Sequence, residues 1–263
     1  MAEEGSPAVG SPLAGKTALV TGGGTGIGRA FAQALSDHGA EVVICGRRPG
    51  PLETVAAELR SLGRAVTTVR CDLTVEDDLR SLVEAAGPVD ILVNNAGYGL
   101  QAPWTEVSLG EWREVMAVNV EAPLRLAQLL VPAMIERHWG RVVNISSVYG
   151  IVVGNPYFYD FDWDAASYVT SKHALIGLSK YLAVRTGGTG VTVNTLSPGM
   201  FPYTEANIDL VTAEGLEKTS SFTPMKRVGD VRDLRSALLF LVSPESSFVT
   251  GQNIVVDGGW TIW

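Results

Sequence analysis

The stretch Lys16-Thr17-Ala18-Leu19-Val20-Thr21-Gly22-Gly23-Gly24-Thr25-Gly26-Ile27-Gly28 decides the fold. A short apolar run ends in a glycine cluster, and a helical pattern follows with Phe31, Ala34 and Leu35 on one face. A strand, a glycine turn and a helix in this order are typical of a loop that binds the pyrophosphate of a dinucleotide. The glycines let the backbone approach the phosphates, and the helix N-terminus meets their charge. For this stretch alone, a glycine-rich turn without a ligand is the alternative.

The second strand-like run, at residues 41–45, is followed by Gly46-Arg47-Arg48. In dinucleotide folds an acidic side chain at this point hydrogen-bonds the ribose 2′-OH, whereas an arginine accommodates a 2′-phosphate. Here the acid is missing, Gly46 leaves room and two arginines follow. The pattern predicts that Arg47 and Arg48 favour NADP(H), with NAD(H) still possible. The alternative is a pair of solvated arginines that open the next helix.

Further apolar runs alternate with helical patterns along the rest of the chain. The predicted strands are residues 65–69, 89–93, 141–145, 191–196 and 253–256, and the predicted helices include residues 51–62, 109–136 and 231–241. Such alternation requires a parallel sheet with right-handed crossovers. The fold class is therefore α/β: a single Rossmann-type doubly wound fold, with a parallel seven-stranded sheet and helices on both faces.

The composition is that of an ordinary globular protein. The chain has 263 residues, of which 46% are hydrophobic and 18% charged, which suits one large α/β domain. The net charge of −8 argues against nucleic-acid and anionic-membrane partners. No apolar run is long enough to span a bilayer. Cys45 and Cys71 adjoin apolar runs, which predicts free thiols in a reducing compartment.

The first residues differ in composition from the rest. Residues 1–12 are rich in Gly, Ser, Pro and Ala and lack the basic and apolar regions of a signal peptide. We therefore expect a disordered tail at residues 1–14, a single catalytic domain at residues 15–263 and a cytoplasmic location. The three histidines are scattered, and no Cys/His cluster has metal-ligand spacing, so no metal site is predicted.

Small polar residues follow several predicted strands. Asn94-Asn95-Ala96-Gly97 and Ser146-Ser147 stand where a cofactor would cross the carboxyl edge of a parallel sheet. Asp72 follows the third strand and either caps the next helix or hydrogen-bonds an adenine amino group. Asn119 falls inside the predicted helix 109–136, where a polar side chain usually faces water.

Tyr168 and Lys172 are four residues apart and therefore share one face of a helix. An ammonium near a phenol favours the phenolate and lowers its pKa. A tyrosine tuned in this way exchanges a proton with an alcohol or carbonyl oxygen near neutral pH. Taken alone, the spacing also fits a partly buried tyrosine beside a solvated lysine.

Together these motifs resemble the short-chain dehydrogenase/reductase family, from about Lys16 to the end of the chain. Each motif by itself is weak evidence for the family, but their order, with each at the end of a predicted strand or helix, is specific to it. The matching residues are Thr21-Gly22-x-x-x-Gly26-Ile27-Gly28, Asn94-Asn95-Ala96-Gly97, Asn119, Ser147, Tyr168-x-x-x-Lys172 and Pro198-Gly199.

The resemblance implies a role for each catalytic residue. Tyr168 would be the general acid in carbonyl reduction and the general base in alcohol oxidation. Ser147, chosen over Ser146 because it lies nearer Gly150, would orient the substrate oxygen. Lys172 would bind the nicotinamide ribose and lower the pKa of Tyr168, and Asn119 would hold a water in a proton relay to Lys172.

The resemblance also implies a set of cofactor contacts. Besides Tyr168 and Lys172, the expected contacts are Gly22, Thr25, Gly26, Ile27, Gly28, Arg47, Arg48, Asp72, Leu73, Asn94, Ala96, Gly97, Pro198, Gly199 and Thr204. Residues from about 200 to 224 would form a lid over the substrate.

The segment between Ser147 and Tyr168 is longer than in most members of the family. Pro156 to Asp164 contains five aromatic residues and three aspartates, which we expect to shape a wall of the substrate pocket. A self-packed loop or a subunit contact is the alternative. The pocket candidates are Tyr149, Tyr157, Phe158, Tyr159, Phe161, Trp163 and Phe201.

The C-terminal sequence, residues 257–263, is similar to gluconate 5-dehydrogenase-like members of the family. Its two tryptophans favour a homo-oligomer, either a tetramer or a dimer. The main functional hypothesis is an NADP(H)-dependent oxidoreductase that interconverts a secondary alcohol and a ketone on a polyol, sugar acid or other small hydroxylated compound. The alternatives are a 3-oxoacyl-thioester reductase and, from another class, a cofactor-binding regulatory or scaffold protein.

Overall fold

A parallel sheet of seven strands, in the order β3-β2-β1-β4-β5-β6-β7, forms the centre of the protein. The structure, a computed structural model, describes residues 11–154, 164–202 and 212–262. All six strand pairs are parallel, so the predicted fold class is confirmed. The strands are β1 (Thr17–Thr21), β2 (Glu41–Gly46), β3 (Val66–Arg70), β4 (Ile91–Asn94), β5 (Gly140–Ile145), β6 (Val191–Pro198) and β7 (Asn253–Val256).

Helices cover both faces of this sheet. Apolar side chains of α1, α2 and α8 form one buried cluster, and those of α3 and α5 form a second cluster on the opposite face. Within the described ranges, no helix is both long and apolar enough to cross a membrane. The helices are α1 (Gly26–Asp37), α2 (Pro49–Ser61), α3 (Glu76–Ala86), α4 (Leu109–Met116), α5 (Ala122–Glu136), α6 (Ala166–Arg185), α7 (Ala213–Ser221) and α8 (Arg235–Val242).

The strand order reverses between β1 and β4. The chain passes from β1 outward to β3, and then returns to place β4 on the other side of β1. In open parallel sheets, ligands bind in the crevice at the carboxyl ends of the strands where the order reverses. The ends of β1 and β4 are Thr21 and Asn94, which puts two of the polar motifs at this crevice.

The predicted helix 109–136 is interrupted. A π-helical turn, Ala117–Glu121, separates α4 from α5. Such turns insert an extra residue into an α-helix and are frequent at functional sites. Asn119 is the middle residue of this turn, and the consequence for its side chain is described below.

The predicted boundary of the N-terminal tail is wrong by a few residues. Leu13 is 2% exposed, belongs to the core cluster that contains α1, and donates its backbone N–H to the carbonyl of His38. A buried leucine gains enough hydrophobic free energy to order the backbone around it. The packed domain therefore includes Leu13, whereas residues 1–10 lie outside the described part of the chain.

We predict that Leu13→Ala lowers the free energy of unfolding by about 3 kcal/mol, because it removes a buried side chain and leaves a cavity. Urea unfolding followed by circular dichroism measures the change. The matched control is Leu62→Ala, since Leu62 is 59% exposed and its truncation should change stability by no more than about 0.5 kcal/mol. Equal stability losses in the two variants would contradict the packing of Leu13.

Candidate active site

The glycine-rich turn between β1 and α1 has a backbone that only glycine fits. Gly22 and Gly26 have φ angles of 64° and 52°, in the left-handed region. A Cβ atom on Gly28 would lie 2.2 Å from the carbonyl oxygen of Gly22. The turn therefore brings the first turn of α1 against the end of β1, as the glycine pattern predicts.

A groove of about 400 Å³ opens beside this turn. The N-terminus of α1 has no acidic residue in its first turn, and the side chain of Thr25 makes no capping hydrogen bond. The free N–H groups and the positive end of the helix dipole suit an anion. The groove fits the phosphates of a dinucleotide, and it is lined by Gly22, Gly24, Thr25, Cys45, Gly46, Arg47, Arg48, Pro51 and Leu52.

The end of β2 leaves space for a charged group. The nearest atom to a Cβ placed on Gly46 is 3.8 Å away, on Leu52, so the position is open. Arg47 and Arg48 are exposed and line the groove. Arg48 also precedes the first residue of α2, as the alternative interpretation expected. The free space beside Gly46, next to the two guanidinium groups, is compatible with the binding of a 2′-phosphate.

Asp72 does not cap a helix. Its Oδ1 accepts hydrogen bonds from Thr74 N at 3.0 Å and Thr74 Oγ1 at 2.7 Å, while α3 is preceded by Val75 without a side-chain cap. These bonds lower the pKa of Asp72. The prediction that Asp72 caps the next helix is therefore wrong, because its carboxylate instead closes a local turn with Thr74. Leu73 is buried in the core cluster beside α3.

Backbone and side-chain hydrogen bonds join the ends of β1 and β4. Thr21 Oγ1 accepts from the backbone N–H groups of Asn95 and Ala96, both at 3.0 Å. The side chain of Asn95 donates to Thr21 O at 2.9 Å. These bonds fix Ala96 and Gly97 at the carboxyl edge of the sheet, where the cofactor is expected to cross.

The side chain of Asn94 points into the core. It is 3% exposed, and its Nδ2 donates to Asn144 Oδ1 at 2.7 Å. Asn144 in turn donates to Ser179 Oγ at 2.8 Å. A buried amide needs such partners. The side chain of Asn94 therefore links β4 through β5 to α6, and the predicted contact of residue Asn94 with the cofactor stays a prediction.

Asn119 is 1% exposed, although a polar residue in a helix was expected to face water. Its Oδ1 accepts from Tyr98 N at 3.2 Å, and its Nδ2 donates to Tyr98 O and to Ser171 Oγ, both at 2.9 Å. The π-helical turn carries Asn119 into the interior, where it holds the chain after Gly97 against helix α6.

Ser147 and Tyr168 come together at the start of α6. A hydrogen bond joins their side chains, and Ser147 Oγ also accepts from Tyr149 N at 3.2 Å. The neighbouring Ser146 instead donates to the backbone carbonyl of Lys172 at 2.9 Å. Only Ser147 of the two serines therefore shares a site with the tyrosine, which supports its selection.

Lys172 is buried one turn beyond Tyr168. It is 4% exposed, and its Nζ donates to the carbonyl oxygen of Ile145 at 2.9 Å and lies 5.4 Å from the centre of the Tyr168 ring. Burial lowers the pKa of Lys172 to about 8. Loss of hydration disfavours the charged form of a buried amine.

The expected lowering of the Tyr168 pKa by Lys172 is not what the structure shows. Burial raises the pKa of Tyr168, and the hydrogen bond with Ser147 opposes this only in part. The ammonium is directed toward the carbonyl of Ile145 and not toward the phenol oxygen. Desolvation of the phenolate is therefore the largest effect on the pKa of Tyr168.

Two glycines permit the close packing around these groups. A Cβ on Gly97 would lie 3.0 Å from Asn119 Oδ1 and 3.1 Å from Lys172 Nζ, so both groups face the same point. A Cβ on Gly99 would lie 2.9 Å from Tyr168 Cβ. The chain that follows β4 therefore passes directly over the asparagine, the lysine and the tyrosine.

A family described as Enoyl-(Acyl carrier protein) reductase matches residues 22–261 of this sequence. This match spans the glycine turn, the Ser147–Tyr168–Lys172 cluster and the last strand. The chain belongs to the short-chain dehydrogenase/reductase family. It is thus an oxidoreductase of a family that acts on CH–OH groups, and the family identification made from the motifs is confirmed.

Known members of the short-chain dehydrogenase/reductase family cover nearly the whole chain. Galactitol 2-dehydrogenase (L-tagatose-forming) of Cereibacter sphaeroides is 37% identical over 95% of this chain and 97% of its own length. A 3-oxoacyl-[acyl-carrier-protein] reductase of Vibrio cholerae is 34% identical over 94% and 98%. The solved gluconate 5-dehydrogenase of Burkholderia cenocepacia, in complex with NADP and tartrate, is 33% identical over 95% and 97%, with a TM-score of 0.86.

The predicted pocket residues of this short-chain dehydrogenase/reductase lie in different environments. Tyr149 is buried beside Ser147 and meets Trp260 edge-on, with 5.8 Å between ring centres. Phe201 is 7% exposed and packs in the core cluster that contains α1 and α8. Its ring fills the space that Gly229 leaves open and lines a small cavity of about 160 Å³ with Met200 and Thr223, so its place in the substrate pocket stays a prediction. Outside the described residues lie Tyr157, Phe158, Tyr159, Phe161, Trp163 and Thr204.

Pro198 and Gly199 end β6 at the same edge of the sheet. Gly199 donates its N–H to Val256 O at 2.9 Å, and a Cβ on Gly199 would lie 2.7 Å from Asp257 Cα. The predicted lid begins here, and its described part contains α7, which has no buried residue. Among the described residues, no group of three or more His, Cys, Asp or Glu side chains could hold a metal ion.

Sequence reasoning missed several residues that build the site. Tyr98 and Gly99 follow directly after Asn94-Asn95-Ala96-Gly97, and Ser171 directly precedes Lys172, so their positions beside the motifs were a usable signal. Asn144 gave a weaker signal, as a polar residue inside an apolar strand. Trp260 reaches Tyr149 only through the tertiary fold.

We predict that Lys172 makes stability depend on pH. The pKa of lysine is about 10.4 in an unfolded chain and about 8 for Lys172 in the folded protein. Between these values the unfolded state binds more protons, so the free energy of unfolding rises with pH. The raised pKa of Tyr168 acts in the opposite direction only above about pH 10.

The test is urea unfolding at pH 8, 9 and 10 of the parent protein and Lys172→Met. The stability of the parent relative to this variant should increase by about 1 kcal/mol per pH unit. Lys180→Met, an exposed lysine of the same helix, is the control and should follow the parent. Parallel curves for the parent and Lys172→Met would show that the lysine does not titrate in this range.

Proposed function

We propose that this short-chain dehydrogenase/reductase is an NADP(H)-dependent enzyme that interconverts a secondary alcohol and a ketone on a polyol, sugar acid or other small hydroxylated or keto compound. The observation that carries the proposal is the hydrogen-bonded pair Ser147 and Tyr168 with Lys172 buried one turn away. This cluster would present two hydroxyl groups to one substrate oxygen. The glycine turn and the two arginines, Arg47 and Arg48, line the same groove, which supports NADP(H) as the cofactor.

The dinucleotide would lie along the carboxyl edge of the sheet. The turn at Gly22 to Gly28 would hold the pyrophosphate at the N-terminus of α1, and Arg47 and Arg48 would hold the 2′-phosphate. When bound, the nicotinamide cofactor supplies or accepts the hydride. Ala96, Gly97, Pro198 and Gly199 would line its path. Asp72 follows β3. Hydrogen bonds from Thr74 lower its pKa, and Arg47 is close enough for its guanidinium to lower this pKa further, which supports a position for Asp72 near the adenine end.

Ser147 and Tyr168 would handle the oxygen of the substrate. In ketone reduction, the two hydroxyls donate hydrogen bonds to the carbonyl oxygen, and Tyr168 then releases its proton to that oxygen as an alcohol forms. Hydrogen bonds to a developing alkoxide strengthen in the transition state, and one such donor contributes about 3 kcal/mol. In alcohol oxidation the same groups act in reverse, with Tyr168 as the base.

Lys172 and Asn119 would return the proton to Tyr168. Both side chains face the point beside Gly97, which supports a relay that passes between them. With its pKa lowered to about 8, Lys172 gives up and regains a proton near neutral pH more easily than an exposed lysine. The position of Asn119 in the π-helical turn would hold the relay close to α6.

The substrate class rests on the relatives and on the segment before α6. A polyol dehydrogenase and a sugar-acid dehydrogenase, aligned over nearly their full lengths, support a small hydroxylated substrate. The aspartates between Pro156 and Asp164 add negative charge close in sequence to Tyr168, which disfavours a strongly acidic carrier protein more than a small substrate with one charge. The second candidate, a 3-oxoacyl-thioester reductase, is supported by the 34% identical relative from Vibrio cholerae. Retention of both Tyr168 and Lys172 disfavours a purely regulatory or scaffold protein.

We also infer that the enzyme is a homo-oligomer, a tetramer or a dimer, located in the cytoplasm. Several large apolar side chains are exposed on the described surface, including Val184, Phe240 and Phe248. Water contact at such residues is unfavourable, and a second copy of the chain would cover them. We infer no nucleic-acid or membrane partner for this acidic chain.

The decisive experiment assays galactitol, gluconate and a 3-oxoacyl thioester with both cofactors, using the parent and Tyr168→Phe. We expect turnover of a hydroxylated small molecule with NADP(H), and a loss of about 10³-fold or more in kcat for Tyr168→Phe, since the proton donor is gone. NADPH affinity should fall much less than kcat, because Tyr168 is only one of many expected cofactor contacts. Activity only on the thioester would favour the second candidate, and full activity of Tyr168→Phe would exclude proton transfer by this residue.

The cofactor preference is tested by fluorescence titration. The parent should bind NADPH more tightly than NADH, and Arg47→Ala should weaken NADPH binding about tenfold, as expected for the loss of one charged hydrogen bond. NADH binding should change little. Arg185→Ala, an exposed arginine at the end of α6, is the matched control. Equal affinity of the parent for the two cofactors would refute the role given to Arg47.

A further inference from the structure

The segment that follows Gly97 passes over the catalytic tyrosine. Tyr98 is held by two hydrogen bonds to Asn119, through its N–H at 3.2 Å and its carbonyl at 2.9 Å. At Gly99 the backbone is so close to Tyr168 that a Cβ would lie 3.0 Å from Cγ and Cδ2 of the ring. The beginning of this segment is therefore fixed on the site.

A second attachment holds the segment further along. Ala102 N donates to the backbone carbonyl of Asp164 at 3.1 Å, and Trp104 N donates to the Asp164 carboxylate at 2.6 Å. The bond to the carboxylate is charge-assisted, a kind about twice as strong as a neutral one. Asp164 precedes Tyr168 by four residues, so this attachment lies close to the start of α6.

The Asp164 carboxylate is not occupied by helix capping. The N-cap residue of helix α6 is Ala165, which has no side-chain cap, and Asp164 lies one position before it. The carboxylate instead binds the N–H of Trp104, which lies 60 residues away in the sequence. The Asp164 carboxylate therefore fixes the position of the loop at Trp104.

Trp104 presents an accessible side chain on this loop. Its side chain is 72% exposed, although its backbone is bonded to Asp164. The indole offers an apolar face and one N–H donor. Binding sites for small polar molecules combine apolar walls with a few placed polar groups, and an exposed indole near the site supplies both.

We propose that Asp164 is a positioning residue that holds residues 98–104 over Tyr168 as one wall of the substrate site, and that Trp104 on this wall contacts the carbon chain and hydroxyls of a polyol or sugar acid. The proposal rests on the proposed function, which it deepens by naming a wall of the same site. Because Tyr168 keeps its place on α6 and its hydrogen bond with Ser147 when the wall is lost, loss of the wall affects substrate affinity and not the proton transfer.

The experiment compares Asp164→Ala and Asp164→Asn with Glu106→Ala, which removes an exposed carboxylate of the same loop region. With galactitol or gluconate and NADP, Asp164→Ala should raise KM about tenfold, with kcat within about threefold of the parent. Asp164→Asn keeps an oxygen acceptor for Trp104 N and should recover much of the affinity. Trp104→Ala should raise KM like Asp164→Ala, and Glu106→Ala should leave KM unchanged.

Hydrogen exchange of peptides that cover residues 98–107 gives a readout that needs no substrate. The amides of Ala102 and Trp104 should exchange faster by about tenfold or more in Asp164→Ala and should remain protected in Glu106→Ala. Unchanged exchange would refute the attachment, whatever the substrate. Faster exchange with an unchanged KM, or a lower melting temperature alone, would show a purely structural role and overturn the proposal.

These measurements test the wall formed by residues 98–104 separately from the proposed function. If the parent uses only the 3-oxoacyl thioester, the choice of a polyol or sugar acid fails, and the contact assigned to Trp104 fails with it. The exchange measurement then still decides whether Asp164 holds the loop. If the parent uses galactitol or gluconate and Trp104→Ala leaves KM unchanged, the proposed function stands and the wall is refuted.

Discussion

The packing of helix α6 against the ends of β4 and β5 is the constraint on which the site depends. Lys172 donates its buried ammonium to the carbonyl of Ile145, which ties the helix to the last residue of β5. A buried charge is costly unless it is hydrogen-bonded, so this contact also fixes the lysine. Gly97 and Gly99 have no side chains, and the chain after β4 can therefore lie directly over Lys172 and Tyr168. A bulkier residue at either position would separate the groups that must act together.

Polar side chains in the interior extend this constraint across the sheet. Asn94, Asn144 and Ser179 form a hydrogen-bonded row from β4 through β5 to α6. Asn119 adds a connection from the π-helical turn to α6. Hydrogen bonds between buried polar groups favour one arrangement of the elements, because any shift would break them. The sheet side of the site is therefore rigid, whereas the loops above it carry the features that select a substrate.

The fold was predictable because periodicity and glycine placement are local properties. Alternating apolar runs and helical patterns gave every strand of the sheet to within about two residues, which is the usual uncertainty at element ends. The corrections concern side chains whose environment depends on distant parts of the chain. The side chains of Asn94 and Phe201, both predicted for the site, are largely buried, and Leu13 was assigned to a tail but is buried. Burial of this kind is decided by neighbours far away in the sequence.

The sequence by itself determined the family, the order of the elements and the identity of the catalytic cluster, because each motif stands at a fixed place relative to its own strand or helix. Only the tertiary structure decided how these groups behave. Desolvation raises the pKa of Tyr168 and lowers that of Lys172, whereas their spacing alone suggested a phenol made more acidic by the lysine. The attachment of Trp104 to Asp164 likewise joins segments 60 residues apart. Solvation and long-range contacts are properties of the packed molecule, and no local pattern encodes them.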